Sequence, residues 1–133
     1  MSAWREETRR DLADSEQKLV DLIASISGEP TEEQNRSLWR AYLGVEKSII
    51  FIRVEIDEEN PGRFLSLKKY AVPDERQALQ FALRNLRKGS ESFALGDFKE
   101  ALRGLRESRN YLRAILREKR TAKTRAARGS RKS

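Results

Sequence analysis

The chain has 133 residues, 37% of them charged, no Cys, no His and a formal net charge of +7. That length suits one domain with a real core and is too short for two. Without Cys, disulfides and Cys-ligated metals are excluded; without His, the commonest general base and metal ligand is missing.

The positive charge is unevenly placed. From Arg117 to Ser133 the basic residues are Arg117, Lys119, Arg120, Lys123, Arg125, Arg128, Arg131 and Lys132, against the single acid Glu118. That stretch therefore carries the whole +7, and residues 1–116 are neutral overall. The reading is a helical domain over 1–116 and a basic tail over 117–133. No apolar run approaches the roughly 18 residues that span a bilayer. Met1 to Arg10 is charged with no apolar stretch behind it, unlike a secretory signal, so the expected location is the cytoplasm.

A first helix is predicted from about Ala3 to Ser27. Trp4, Leu12, Leu19, Leu22, Ile23 and Ile26 mark its apolar side, and its first turns are thinly apolar and expected to fray. Gly28 and Pro30 end it. Thr31-Glu32-Glu33-Gln34 reads as a capping box that opens a second helix, expected to reach about Glu58. Within it, Leu38, Tyr42, Val45, Ile49, Ile52 and Ile56 alternate in steps of four and three, which puts them on one stripe. Trp39, Leu43, Ile50 and Val54 form a second apolar set on the same helix. A helix apolar nearly all round is normally surrounded by neighbours, so this one is read as central. On that reading the second set belongs to the bundle core; the alternative is an interface with a partner chain.

Asn60-Pro61-Gly62 breaks the chain. The connector after it carries Phe64, Leu65, Leu67, Tyr70 and Val72 and is expected to lie across the bundle, with Tyr70 packed. Lys68-Lys69-Tyr70 also suits single-stranded nucleic acid, as a weaker reading. Pro73 and Asp74 open a third helix with the stripe Leu79, Leu83, Leu86 and Phe93, ended by Gly96. Asp97, with Glu100 completing a second capping box, starts a fourth. Its stripe is Phe98, Ala101, Leu105, Ser108, Leu112 and Ile115. The tight link between these helices makes them antiparallel neighbours. Phe81 and Tyr111 fall off both stripes; they mark either contact with a third helix or a protein interface.

Gly89, Gly96, Phe98, Ala101 and Leu105 match, in type and spacing, the glycine, glycine, aromatic, alanine and large apolar positions of a tetratricopeptide repeat. The hairpin over about 74–116 thus resembles one such repeat in part: Asn85, Lys88 and Arg113 depart from the pattern, and no second unit is found in residues 1–60. It is also similar to hairpins in short archaeal helical proteins of unknown function. The resemblance implies close helical packing, with Ala101 small at the contact, and an interaction scaffold without chemistry.

The fold class expected is all-α: a small four-helix bundle of two antiparallel hairpins with a disordered basic C-terminal tail. Lys99, Arg103, Arg106, Arg113 and Arg117 share one flank of the fourth helix at about 100° per residue. That flank leads into the tail and suits the phosphate backbone of DNA or RNA; the competing reading is a solvated face with local Arg–Glu pairs. The Asp57-Glu58-Glu59 cluster lacks calcium-loop spacing, and no phosphate loop or nucleophile motif occurs. The expected function is that of a non-catalytic accessory subunit of a nucleoprotein complex, such as a ribosome or a replication or repair assembly. It would bind nucleic acid and one protein partner, with no cofactor, metal, membrane or small-molecule substrate. The alternative is a helical adaptor or homodimer in which the tail is incidental. If all eight tail cations met duplex phosphates, log K would fall with log salt at a slope of about −7.

Overall fold

The computed structural model describes residues 3–58 and 70–131, with side chains as far as Lys123. Four helices follow one another: α1 (Ala3–Ser25), α2 (Glu32–Glu55), α3 (Glu75–Ala94) and α4 (Phe98–Arg131). They pair as two hairpins, α1 with α2 and α3 with α4, and the hairpins pack through α1 on α3 and α2 on α4. Each helix therefore has two main neighbours. The all-α bundle of two hairpins expected from the sequence is the architecture found.

The turns form where local chemistry demands them. Thr31 Oγ1 accepts from Gln34 N at 3.1 Å while the Gln34 side chain accepts from Thr31 N at 2.9 Å, so the capping box is complete. Gln34 Nε2 also donates to the Ser25 carbonyl at 3.3 Å, tying the end of α1 to the start of α2. Gly96, at φ +81°, lets the chain leave α3: Asp97 N donates to Ser92 O at 2.9 Å and Gly96 N to Phe93 O at 3.0 Å. The same pattern closes α2 without a glycine. Asp57 takes φ 52°, and Glu58 N donates to Arg53 O at 3.0 Å. Helix α2 thus ends at Glu55, three residues before the expected Glu58. At α4 half of the predicted capping box forms. Asp97 accepts from Glu100 N at 3.3 Å, but Asp97 N is already bound to Ser92 O, and the Glu100 carboxylate turns to Arg103.

The core runs through both hairpins: Leu12 and Leu19 from α1; Leu38, Val45, Ile49 and Ile52 from α2; Leu79 and Leu86 from α3; Leu105 and Leu112 from α4. Helices approach most closely at small residues. A Cβ on Gly104 would stand 2.8 Å from Gly89 N and 2.9 Å from Asn85 O. Ala101, expected at the close contact, is fully buried beside Gly89. Ser108 donates across this seam to Ala82 O at 2.8 Å, and Ser15 donates to Ala41 O at 3.1 Å between α1 and α2.

Three expectations need correction. The start of α1 is not thinly held: Trp4 packs edge-on against Phe93 at 5.8 Å and Phe98 at 5.6 Å, joining the α3–α4 turn. Helix α2 is not encircled. Two neighbours cover one stripe, so the second apolar set lies in solvent: Trp39 is 49% exposed, Leu43 46%, Ile50 54% and Val54 73%. Finally, the stretch expected to be a disordered tail has helical backbone as far as Arg131, continuous with α4. Ala, Arg and Lys are good helix formers, and no Pro interrupts the run before Gly129 and Ser130.

Candidate nucleic-acid interface

The basic flank of α4 is divided by what lies beside it. Lys99 is exposed. Arg103 is exposed and pairs locally, with Glu100 at 3.3 Å. Arg106, one turn on, turns inward instead and binds the Glu58 carboxylate just beyond α2. Glu58 also holds Arg53 at 3.3 Å. Arg113 donates to the Tyr42 hydroxyl from Nη2 at 3.2 Å and lies 3.7 Å from Glu46. Arg109, not foreseen as part of the site, reaches Glu46 at 3.4 Å.

The α2–α4 seam is thus a ladder of arginines on acids. Moving along α4 from Arg106 to Arg113 means moving back along α2 from Glu58 to Tyr42, the signature of antiparallel packing. These guanidinium groups are half-buried, where ion pairs are screened less than at a free surface. Arg106 and Arg113 therefore bind the protein's own carboxylates. The predicted ridge is interrupted, and Arg103 and Arg117 are separated by about 21 Å of helix at 1.5 Å per residue.

Beyond Ile115, the last buried residue of α4 among those whose side chains are described, the helix changes character. Arg117, Arg120 and Lys123 are exposed, as are Thr121 and Ala122 between them. Lys119 folds back, bridging to Glu75 at 2.8 Å, which fastens the base of the arm to the start of α3. The backbone then continues as helix to Arg131, so the arm past Leu116 is about 22 Å long. At about 100° per residue, positions 117, 120, 128 and 131 fall on one side of it. The side chains of Arg125, Arg128 and Arg131, and all of Lys132, lie outside the described residues, as do Lys68 and Lys69. An open groove of about 380 Å³ at the base of the arm has Val72, Ala114 and Ile115 along it and Glu75, Glu118 and Lys119 at its edge. Those two acids and one base add no positive potential there.

Tyr70 is buried, as expected, and its hydroxyl donates to Glu107 at 2.8 Å. Its ring meets Tyr111 edge-on at 5.0 Å, and Tyr111 contacts Phe81 at 5.4 Å. Phe81 and Tyr111 are therefore engaged with each other and, through Tyr111, with Tyr70, the contact with a neighbouring element that the sequence offered as one of two readings. The off-stripe position of Tyr111 faces Tyr70 on one side and Phe81 on the other.

The exposed apolar residues of α2 form the other distinctive surface. Trp39, Leu43, Ile50 and Val54 lie within about 60° of one another around the helix. Two ion-pair groups border this crest. On the α4 side stands Glu46 with Arg109 and Arg113. On the α1 side Lys47 bridges Glu7 at 2.9 Å and Asp11 at 3.1 Å. Hydrogen bonds to Glu7 and then Asp11 hold the Lys47 ammonium above the ordinary lysine value. Trp39 also packs against Tyr42 at 5.4 Å, which fixes one end of the crest next to the arginine ladder.

Among the described residues no cluster of three or more Asp or Glu is placed to hold a metal ion, and no helix is long and apolar enough to cross a membrane. Comparison with protein-family models, with curated proteins and with solved structures finds no match to this chain.

Proposed function

We propose that this is a non-catalytic, cytoplasmic accessory protein that binds the phosphate backbone of DNA or RNA through the basic arm of α4, as a subunit of a nucleoprotein complex such as a ribosome or a replication or repair assembly. One observation carries the reading. The helical backbone of α4 continues about 22 Å past Leu116, and that continuation holds the cations that make the chain basic. A helical arm fixes the spacing of its charges before binding, so less ordering entropy opposes association than for an irregular tail. Backbone contacts of this kind give affinity with little sequence information.

The interior chemistry of the bundle supports the division of labour. Arg106, Arg109 and Arg113 are taken up by Glu58, Glu46 and Tyr42 and act in the fold. Arg117 and Lys123 are exposed on the arm. The test is binding of labelled duplex DNA and structured RNA by the full chain and by a variant with Arg117, Lys123, Arg125, Arg128 and Arg131 changed to Gln. Lys119 is left intact because it anchors the arm. The expected result is loss of most binding with an unchanged thermal midpoint. Binding that survives the five substitutions refutes the assignment to the arm.

A protein contact is the second part of the reading. It is favoured by the apolar crest of α2, which no element of the described fold covers.

A further inference from the structure

We propose that the crest of α2 pairs with the same crest of a second copy of this chain, the two helices running antiparallel about a twofold axis between Glu46 and Lys47. The spacing of the crest is the first argument. Trp39, Leu43, Ile50 and Val54 follow one another at steps of four, seven and four, so the pattern reads the same from either end. A twofold interface must be complementary to itself. Antiparallel apposition sets Leu43 opposite Ile50 of the partner subunit and Trp39 opposite Val54 of the partner subunit, large apolar side chains meeting throughout. An unrelated helix seated in this place would require no such symmetry.

Charge is the second argument. The two ionised residues nearest the axis are already neutralised within each copy. Lys47 is held by Glu7 at 2.9 Å and Asp11 at 3.1 Å, and Glu46 by Arg109 at 3.4 Å and Arg113 at 3.7 Å. Two copies can therefore approach without bringing unpaired like charges together. Area is the third. From their fractional exposures the four crest residues present about 400 Å² of accessible surface, the size of patch that is often functional. A standard interface takes about 800 Å² from each partner, a little over half of it apolar. The crest supplies most of that apolar share. Arg36 extends the crest at its N-terminal end, and Arg40, Phe51 and Glu55 border it on the side of Lys47. The crest also points away from α1 and α4, so neither hairpin obstructs the approach.

The inference is independent of nucleic-acid binding, and its test uses no nucleic acid. Sedimentation equilibrium of the full chain from about 1 to 200 µM should show a monomer passing into a dimer. A Leu43→Lys, Ile50→Lys double variant, changed only at exposed positions, should keep its helical circular dichroism and remain monomeric across the range. A wild-type chain that stays monomeric throughout overturns the proposal, as does a dimer that survives the double substitution. Cysteine pairing tests the register separately, since the chain has no cysteine of its own. Leu43→Cys and Ile50→Cys proteins, mixed and oxidised, should form the mixed disulfide in preference to either self-disulfide. Preferential self-pairing of Leu43→Cys would indicate parallel helices and overturn the antiparallel arrangement.

Discussion

Gly104→Ala puts the packing of the α3–α4 hairpin to a test in which two effects have opposite signs. By intrinsic propensity alone, alanine for glycine inside a helix stabilises by about 1 kcal/mol. The structure opposes this. The new Cβ would lie 2.8 Å from Gly89 N, 2.9 Å from Asn85 O and 3.0 Å from Gly89 Cα, and all three are backbone atoms. None can move by rotating a side chain. Restoring ordinary contact requires the helices to part by about 0.5 Å, which loosens the dispersion contacts around the crossing. Overpacking of this kind costs about 1–3 kcal/mol, and more when backbone must shift. The net expectation is destabilisation by up to about 2 kcal/mol, a fall of as much as roughly 10 °C in Tm for a domain of this size. Thermal and urea unfolding followed by circular dichroism measure it. Gly96→Ala is the control: nothing lies within 4 Å of its Cβ, but its φ of +81° is unfavourable to alanine, so it destabilises by a backbone effect alone. A Gly104→Ala protein that melts above the wild type would refute the close approach of α3 and α4.

Trp4→Ala removes edge contacts to Phe93 and Phe98 and should cost about 2–3 kcal/mol in urea titration; a loss below about 0.5 kcal/mol would mean that the first turn of α1 is unpacked after all. Glu46→Gln removes the carboxylate that faces Arg109 and Arg113, and should destabilise by about 1 kcal/mol, with most of the effect retained in high salt because the pairs are half-buried. A double-mutant cycle with Arg109→Gln separates that coupling from simple loss of charge. Lys47 gives a pH dependence of known sign. Its folded pKa is raised, so its contribution is full below the ordinary lysine value and disappears as pH rises through the folded value. Wild-type stability should therefore fall more steeply than that of Lys47→Gln between the ordinary lysine value and the raised folded value, and parallel stability–pH profiles through that window would contradict the bridge to Glu7 and Asp11.

The four helices and their turns were legible because their signals are local. Thr31 and Gln34 sit at the spacing a capping box requires, Gly96 follows the last stripe residue of α3, and the four-three stripes name most of the core. What escaped the sequence depends on neighbours. Periodicity places Arg106 and Arg113 on a flank of α4, but it is the position of Glu58 and Glu46 that turns them inward. Glu58 is in reach because the chain bends back at Asp57 in a left-handed conformation, which an aspartate does not announce as a glycine does. The crest of α2 looked buried because its apolar arc is wide. In a bundle where each helix has two main neighbours, that arc exceeds what they cover. Gly104 carried a signal that was available, since a glycine within a strongly periodic helix commonly marks a close approach. Of the candidate site, the basic arm was evident from charge alone, whereas its helical backbone and the anchoring of Lys119 on Glu75 required the structure.

The central claim is that the arm of α4 binds nucleic-acid phosphates, and the dependence of binding on salt tests it most directly. Affinity of the full chain for a short duplex DNA, measured by fluorescence anisotropy between about 50 and 300 mM salt, should give a steep negative slope of log K against log salt, close to −6 if the seven cations other than Lys119, which is bridged to Glu75, all engage. Neutralising Arg117, Lys123, Arg125, Arg128 and Arg131 together should make the slope shallower by about 4 to 5. A slope near zero for the unaltered protein, or a slope unchanged by the five substitutions, would contradict the claim.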